Sequence, residues 1–436
     1  MKFSYGKTFL LGFGFLGISI VGPIFNLYVP IFLQAGNPEF ERQLLTEGRV
    51  IPGIVGFGLT PSLALFIMTW DNIMNMFIAP WVGAKSDRTW NRFGRRKPYI
   101  LLGAPLALLA FVFVPFAQTL LAIAAFIFIT NLGLAIFRSP TVAWLGDLFS
   151  AEDRSQANGI INLMGGIGAL LAYFVGGILF NQVGRAAPFI AGAIASSVAL
   201  VVVLTFVRES PPKDSAENEQ QGHILTNVKD LFSNPDRSVL FVLLSILLWF
   251  MGFSAFEAGI SSFAVFTLGI EAGTASIYAG TMTIFFLLFA VPSGFIGTRW
   301  GRSRTIRIGL IGLSLSALLG FFLVQDGISL VLTLLFSGAF WAMINVNSLP
   351  LVYDHGDEKQ IGAYTGLYYF SSQLASVLGP TLLGVMVDAL GNQYRWLWIF
   401  AAFFMMIALM ALTRVRSGEA ALLKRDRLPA GREAED

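Results

Sequence analysis

The chain is poor in charged residues and contains no cysteine. Of its 436 residues only 13% are Asp, Glu, Lys or Arg, whereas soluble globular proteins carry about 25%. More than half of the residues, 55%, are hydrophobic, and the mean hydropathy is +0.70. A soluble fold of this size would have too few charges to cover its surface. The composition therefore excludes soluble globular and disordered chains and predicts a polytopic membrane protein.

Several chemical sites are excluded by missing residues. The absence of cysteine excludes disulfides, thiolate metal sites and a cysteine nucleophile. The two histidines, His223 and His355, lie in polar loops, which excludes a metal centre built from several histidines. No Walker-type phosphate loop occurs, and no serine within an apolar stretch has a histidine partner there. We therefore expect no enzymatic activity, no ATP hydrolysis, and no metal or cofactor.

Twelve apolar stretches are long enough to cross a bilayer as helices. They lack the alternating pattern of a membrane β-barrel, so we expect an all-α protein. No small-residue cleavage pattern follows the first stretch, which predicts a retained helix rather than a signal peptide. The predicted spans are Phe9–Leu33, Leu59–Ala84, Tyr99–Phe116, Leu120–Val142, Asn158–Leu179, Phe189–Val207, Val239–Leu268, Ser276–Ile296, Ile306–Leu323, Leu330–Pro350, Tyr364–Ala389 and Trp396–Thr413.

The distribution of positive charge predicts how the chain crosses the membrane. Of the 29 Lys and Arg residues, 24 fall in segments on one side, four on the other, and Arg138 lies within a span. Because positively charged loops stay in the cytoplasm, we expect both termini to be cytoplasmic. The polar stretch 208–237 is predicted to be a cytoplasmic linker between six-helix bundles at 1–207 and 238–413, and 414–436 a cytoplasmic tail.

A shift of 207 residues aligns the two predicted bundles without a gap. Chance explains some of the glycine matches, because the chain has 45 glycines, but it explains the matching charges in two equivalent loops poorly. Parallel repeats around a site near the membrane midplane are a transporter architecture. The aligned pairs are Gly94 with Gly301, Arg95 with Arg302, Lys97 with Arg304, Asp147 with Asp354, Gly159 with Gly366, Gly177 with Gly384, and Gly184 with Gly391.

The loop after the second span carries a motif of a known family. The segment 83–98, GAKSDRTWNRFGRRKP, resembles the loop between helices 2 and 3 of the major facilitator superfamily, and Gly294–Arg302 resembles its degenerate copy between helices 8 and 9. The resemblance covers essentially the whole chain. It implies a carrier with two pseudo-symmetric six-helix bundles that works by alternating access.

Charged residues near these loops, together with Gly94, are candidates for a cytoplasmic gate. The contacts of such a gate would lock the carrier in one of its two states and break in the other. We also expect Asp147 to pair with Arg154. The alternative is that the arginines only satisfy the positive-inside rule. The candidate gate residues are Asp87, Arg88, Gly94, Arg95, Arg96, Asp147, Arg154, Arg302 and Asp354.

Two further segments resemble carriers of glycosides. Trp70-Asp71, with the basic loop after it, is similar to glycoside–pentoside–hexuronide:cation symporters and to sucrose:proton symporters. The segment from Pro140 to Asn158 is similar to the sucrose-transporter type. The first of these families places a second aspartate one turn after the first, where this chain has Asn75. This departure favours a coupling proton over sodium.

Three ionisable residues are predicted to lie within the membrane: Asp71, Arg138 and Glu257. A charge at that depth costs at least about 2.5–3.5 kcal/mol, which makes each a functional candidate. We expect Asp71 to carry the coupling proton and Arg138 to bias its release. The alternative is a static Asp71–Arg138 ion pair. Glu257 is the rival proton carrier, because its span is too long to be straight and a local break after Gly252 would expose it to a cavity.

Sugar recognition needs convergent hydrogen-bonding groups and an aromatic face. Asn345 and Asn347 lie deep in a span, where an unsatisfied amide is costly, although each has the alternative of a hydrogen bond between helices. The candidate sugar-binding residues are Asn26, Tyr28, Asn72, Asn75, Trp144, Trp341, Asn345, Asn347, Tyr368 and Gln373.

The sequence therefore predicts a secondary active transporter that imports a glycoside, such as the disaccharides sucrose or maltose, together with protons. The first alternative is a proton-coupled exporter of amphipathic compounds, whose cavity would have mostly aromatic lining and few amides. The second is a non-transporting sensor, although the linker and the tail are too short for a signalling domain. We expect a sugar and the lipid bilayer as partners, no nucleic acid, a monomer, and a plasma membrane or bacterial inner membrane location.

Overall fold

The computed structural model describes residues 5–149, 151–207, 209, 237–355 and 361–415. In this part of the chain twelve helices are long and apolar enough to cross a membrane, which confirms the predicted number. The helices, numbered here as spans 1 to 12, are Tyr5–Gln34, Pro61–Met68 with Trp70–Asp87, Lys97–Phe113, Leu120–Leu148, Ala151–Gln182, Ala187–Phe206, Ser238–Phe266, Ala272–Trp300, Arg302–Leu323, Gly327–Tyr353, Ile361–Ala389 and Trp396–Thr413.

Span 2 is interrupted, and the interruption positions Asp71. The first segment ends at Met68, and the hydroxyl of Thr69 donates to the carbonyl of Phe66 at 2.8 Å instead of continuing a regular helix. The second segment begins at Trp70, so Asp71 occupies its first turn. The unpaired N–H groups of a first helical turn stabilise a negative charge. A carboxylate at this depth therefore has local support from the backbone.

Span 7 is a continuous helix of 29 residues and contains no proline. The predicted local break after Gly252 was therefore wrong. Glu257 is nevertheless exposed, because the helix faces a cavity rather than because it opens. A regular helix satisfies its own backbone hydrogen bonds, so it can line a water-accessible space without a break.

The packing of the helices repeats after six spans. Span 1 packs on spans 5 and 6, and span 7 packs in the same way on spans 11 and 12. The pairs 3 with 4 and 2 with 4 recur as 9 with 10 and 8 with 10. Between the halves, span 5 packs on span 8, span 2 on span 11, and span 1 on span 7. Spans 1–6 and 7–12 therefore form two halves with equivalent internal contacts.

The 207-residue repeat is visible in the backbone as well. Gly94 and Gly301 have φ of +106° and +102°, and Gly184 and Gly391 have φ of +130° and +77°. Side chains other than glycine rarely adopt these values. These glycines end up at equivalent corners of the two halves because the same turn has to be made twice.

The halves meet closely at one end of the bundle, here called the far end, which carries a short helix, Pro38–Thr46, between spans 1 and 2. The opposite end, with Arg95 and Glu209, is called the linker end. At the far end Gln34 donates to the hydroxyl of Ser262 at 2.9 Å and accepts from the hydroxyl of Tyr394 at 2.5 Å. Both contacts join span 1 to the other half.

Two equivalent contacts close the far end further. Gly384 packs on the start of span 2, where an added Cβ would lie 2.7 Å from the Cα of Ser62, and Gly177 packs in the same way on Gly273 in span 8. Four residues after each glycine, a polar side chain reaches across. The carboxylate of Asp388 accepts from the Ser62 backbone N–H at 3.2 Å, and the amide of Asn181 donates to the Thr274 hydroxyl at 3.0 Å.

We expect Gly384→Leu to loosen the far end. The new side chain would overlap backbone atoms of span 2, and overpacking of this kind costs ~1–3 kcal/mol. A cost of that size would raise far-end labelling of a Ser376→Cys cavity probe by a membrane-impermeant maleimide about fivefold or more. Gly366→Leu is the control, because an added Cβ at Gly366 meets nothing within 4 Å. Equal labelling rates in the two variants would contradict the packing argument.

The orientation can be tested with the same chemistry, because the chain has no cysteine of its own. Thr46 is exposed at the far end and Arg92 at the linker end. In intact cells we expect an impermeant maleimide to label Thr46→Cys and to leave Arg92→Cys unlabelled until the cells are lysed. The reverse pattern would show that the charge-based orientation is wrong.

Candidate functional site

Two adjoining cavities lie between the halves, with volumes of about 200 Å³ and 120 Å³. Asn26 and Glu257 line both of them. The larger is bordered by Asn26, Leu27, Tyr173, Phe253, Phe256, Glu257, Ile260, Ser261, Ala279, Met282, Thr283, Phe286, Leu334 and Trp341. The smaller is bordered by Asn26, Met68, Asp71, Asn72, Ser254, Glu257, Ala258, Ser376 and Pro380.

The smaller cavity brings together carboxylates from opposite halves. Asp71 comes from span 2 and Glu257 from span 7, and both line the same space. Because both line one cavity of about 120 Å³, the charge of each acts on the other. The amide of Asn72 donates to Asp71 at 2.8 Å. Two carboxylates in one cavity oppose full ionisation, so this space favours an added positive charge, such as a proton.

Arg138 does not neutralise Asp71 directly. Asp71 and Arg138 both belong to the described part of the chain, and they form no ion pair within 4.0 Å. Arg138 itself is exposed. The static ion pair between spans 2 and 4 is therefore not what holds Asp71 in place.

The predicted sugar-binding residues separate into two groups. Asn26, Asn72 and Trp341 line the cavities. Asn347 does not, because its amide, on a side chain that is 3% exposed, donates to the carbonyls of Ser293 at 3.2 Å and Met343 at 2.9 Å. It joins spans 10 and 8, which is the alternative that the sequence left open for it.

The remaining candidates also lie away from the cavity walls. Tyr28 is fully buried and stacks on Phe180 with ring centroids 4.6 Å apart. The hydroxyl of Tyr368 is 2.9 Å from that of Ser348. Among the described residues, those that line neither cavity are Tyr28, Asn75, Trp144, Asn345, Asn347, Tyr368 and Gln373.

Most of the larger cavity consists of side chains that the sequence did not single out. Tyr173, Phe253, Phe256 and Phe286 come from spans 5, 7 and 8 and join Trp341 of span 10. With 41 phenylalanines in the chain, composition and spacing gave no signal for which of them face inward. The serines at 254 and 376, in spans 7 and 11, were missed for the same reason.

At the linker end the predicted gate residues form ion pairs within each half. Arg96, only 3% exposed, pairs with Asp87 and Asp147, and Arg95 pairs with Asp147 as well. Burial lowers the pKa of the Arg96 guanidinium, but the hydrogen bond and charge of Asp147, with the charge of Asp87, raise it above its usual range. Arg95 and Arg96 are therefore both ion-pair partners of Asp147.

The remaining gate candidates are placed as follows. Arg302 and Asp354 form the equivalent ion pair in the second half. Arg88 is exposed at the end of span 2. The side chain of Arg154 lies outside the described residues.

Glu209, which the sequence did not single out, is held at the linker end of the first half. Its carboxylate accepts from the backbone N–H groups of Arg95, Arg96 and Lys97 at 2.5, 3.0 and 3.1 Å. The indole of Trp144 donates to it at 3.0 Å. This is an anion bound at the N-terminus of span 3, where the helix dipole favours it. Gly94 leaves room for the Glu209 carboxylate, because a Cβ at position 94 would overlap it.

The sequence as a whole matches one family model, that of the Major Facilitator Superfamily, over residues 8–286 and 260–431. The chain belongs to this superfamily. It is therefore a transporter and a multi-pass protein of a plasma membrane or bacterial inner membrane.

Relatives within the superfamily differ in what they carry. The tetracycline resistance protein, class B, of Escherichia coli is 25% identical over 78% of this chain and 83% of its own length. Proton-associated sugar transporter A of Rattus norvegicus is 29% identical over 41% of this chain, a region that is 27% of that protein. A sucrose transport protein of Oryza sativa is 26% identical over 42% of this chain and 41% of its own length. The resemblance to sugar carriers is thus confirmed at the level of relatives.

The fold has solved counterparts. A nucleoside transporter superposes with a TM-score of 0.70 at 15% identity, covering 94% of this chain and 100% of that one. At this identity the likeness concerns the fold alone, and it confirms the predicted twelve-helix, two-half architecture.

We expect Glu209→Gln to destabilise the first half. The amide would place an N–H group against backbone N–H groups, so at least one hydrogen bond to a charged acceptor, worth about 1.5–3 kcal/mol, would be lost. Thermal unfolding of the detergent-solubilised protein should show a lower midpoint. Glu47→Gln is the control, because Glu47 is exposed at the far end and a surface ion pair such as the one it forms with Arg49 contributes little stability. Equal midpoints in the two variants would show that the Glu209 contacts add no stability.

Proposed function

We propose that the protein is a proton-coupled symporter of a glycoside. The observation that carries this proposal is the single cavity that is lined both by Asp71 of one half and by Glu257 of the other. Around them stand Asn26, Asn72 and two serines, which can donate and accept hydrogen bonds as sugar hydroxyls require. Two relatives named as sugar carriers, one of them a proton-associated sugar transporter, also support this proposal.

The two carboxylates suggest how a proton drives the cycle. When both are ionised, their repulsion opposes any movement that brings the halves together around the cavity. A proton on either one removes that repulsion, and the loaded, less charged cavity can then close and move across. Coupling arises because each half contributes one of the charges. A pair within a single half would not resist the relative movement of the two halves.

The closed far end supports an inward-facing assignment for the state described here. With the predicted orientation, that end faces outward, and the contacts of Gly177, Gly384 and Gln34 shut the site off from outside. In this state the substrate would leave toward the cytoplasm. Return to the outward-facing state requires the far-end contacts to part and the halves to meet at the linker end.

Sodium is the second candidate for the coupling ion. Span 2 carries only one carboxylate, which made a sodium site less favourable than a proton site on the sequence. Glu257 supplies the second from span 7, and the surrounding amides and hydroxyls are oxygen ligands that hard cations prefer. The proton remains the first candidate for the coupling ion. Uptake under a proton gradient can be compared directly with uptake under a sodium gradient.

An exporter of amphipathic compounds is the second candidate function. The larger cavity has five aromatic residues and one amide in its lining, which is the composition expected of an exporter. The tetracycline resistance relative also matches most of this chain. The smaller cavity, whose described lining contains no aromatic residue, favours a hydroxylated substrate instead.

The coupling groups can be tested by transport in reconstituted vesicles. We expect labelled sucrose or maltose to enter under an inward proton gradient, and Asp71→Asn or Glu257→Gln to reduce this uptake to the level without a gradient. Exchange of sugar across the membrane at equal pH should persist in a variant that has lost only the proton site, because no net proton movement is needed.

Glu39→Gln, at the far end and away from both cavities, is the control variant. Uptake driven by sodium and not by protons would show that sodium is the coupling ion instead of the proton. Gradient-driven uptake that is unchanged in both cavity variants would remove Asp71 and Glu257 from it. No uptake of either sugar under either gradient would favour the exporter.

A further inference from the structure

The larger cavity is an aromatic chamber, defined here by Tyr173, Phe253, Phe256, Phe286 and Trp341. These side chains come from four spans, so the chamber surrounds its contents instead of offering a single flat face. Between the rings stand Leu27, Ile260, Ala279, Met282 and Leu334. A group held here would be in contact with apolar atoms on most sides.

The rings of the chamber are held in place before any substrate arrives. Phe253 stacks on Trp341 with centroids 3.6 Å apart and an angle of 4° between the planes. Phe250 meets the edge of the same indole at 5.5 Å and 87°. Rings fixed in this way lose little conformational freedom when a ligand binds. They form a pre-organised flat wall against which a planar group can pack.

The chamber has few hydrogen-bonding groups for a second sugar. A sugar ring can place one C–H face on an aromatic ring, but its edge carries hydroxyls all round. A hydroxyl buried without a partner costs free energy. The hydrogen-bonding side chains of the chamber are Asn26, Tyr173, Glu257, Ser261, Thr283 and, through its indole N–H, Trp341; two of these, Asn26 and Glu257, are shared with the smaller cavity. Most of its wall cannot replace the water that a disaccharide would give up.

We propose that the aromatic chamber holds a planar apolar group of the substrate, while the smaller cavity holds its sugar. This rests on the proposed glycoside function and narrows it: among glycosides, the preferred substrate carries an apolar ring as its aglycone and binds more tightly than a disaccharide. Asn26 and Glu257, at the boundary of the two cavities, face the junction between the sugar and the aglycone.

Binding to the detergent-solubilised protein, measured by calorimetry, tests the proposal. The ligands are methyl glucoside, phenyl glucoside, sucrose and tetracycline. Because burial of a phenyl ring in an apolar site is favourable, phenyl glucoside should bind about tenfold more tightly than methyl glucoside, or better. Phe286→Ala should reduce this preference to within about twofold, since it removes one wall of the chamber. Affinity for methyl glucoside should change little.

Two further variants keep the test interpretable. Phe286→Leu retains most of the volume and removes only the ring, so it should lower the preference even if the alanine variant folds poorly. Phe289→Ala, on the same span and outside both cavities, should leave the preference unchanged.

The outcomes separate this inference from the proposed function. Equal affinity for the two glucosides, or tighter binding of sucrose that does not depend on Phe286, would overturn the chamber assignment and leave glycoside transport standing. Binding of tetracycline alone, weakened by Phe286→Ala, would overturn glycoside transport and leave the chamber as a site for planar rings. Binding of none of the four ligands to folded protein would overturn both.

Discussion

A carboxylate within a membrane has to be kept from lipid, and much of this structure follows from that constraint. The cost of a charge in hydrocarbon is several kcal/mol, so Asp71 and Glu257 can be tolerated only where water, a helix terminus or a polar neighbour reaches them. Each uses a different solution. Asp71 lies in the first turn of an interrupted helix, next to the Asn72 amide, while Glu257 projects from an unbroken helix into a cavity.

The two ends of the bundle are held by different forces. At the far end glycines let helices of opposite halves touch backbone to backbone. Two hydrogen bonds reinforce the contact: the amide of Asn181 donates one, and the carboxylate of Asp388 accepts the other. At the linker end the ion pairs of Arg95, Arg96 and Arg302 act within each half. The far-end contacts therefore join the two halves, whereas the ion pairs at the linker end join helices of the same half.

Much of the fold could be predicted from the sequence, because hydrocarbon thickness dictates span length and the positive charges lie in loops. The repeat could also be predicted, because matching glycines and charges recur 207 residues apart. In the structure the aligned pair Gly94 and Gly301 both have positive φ. The interruption at Thr69 and the short helix Pro38–Thr46 were not predicted. Both depend on local capping and on contacts with the other half, which hydropathy does not report.

Part of the candidate site could likewise be predicted from the sequence, and part could not. From the sequence alone came the twelve spans, the two-fold repeat and the short list of intramembrane charges, because a misplaced charge in lipid is costly wherever it stands. Only the tertiary structure decided that Asp71 and Glu257 share a cavity, that the indole of Trp144 donates to Glu209, and which phenylalanines line the chamber. Lipid and a protein interior accept an aromatic ring almost equally well, so nothing in the sequence distinguishes a phenylalanine that faces lipid from one that faces substrate until the helices are packed.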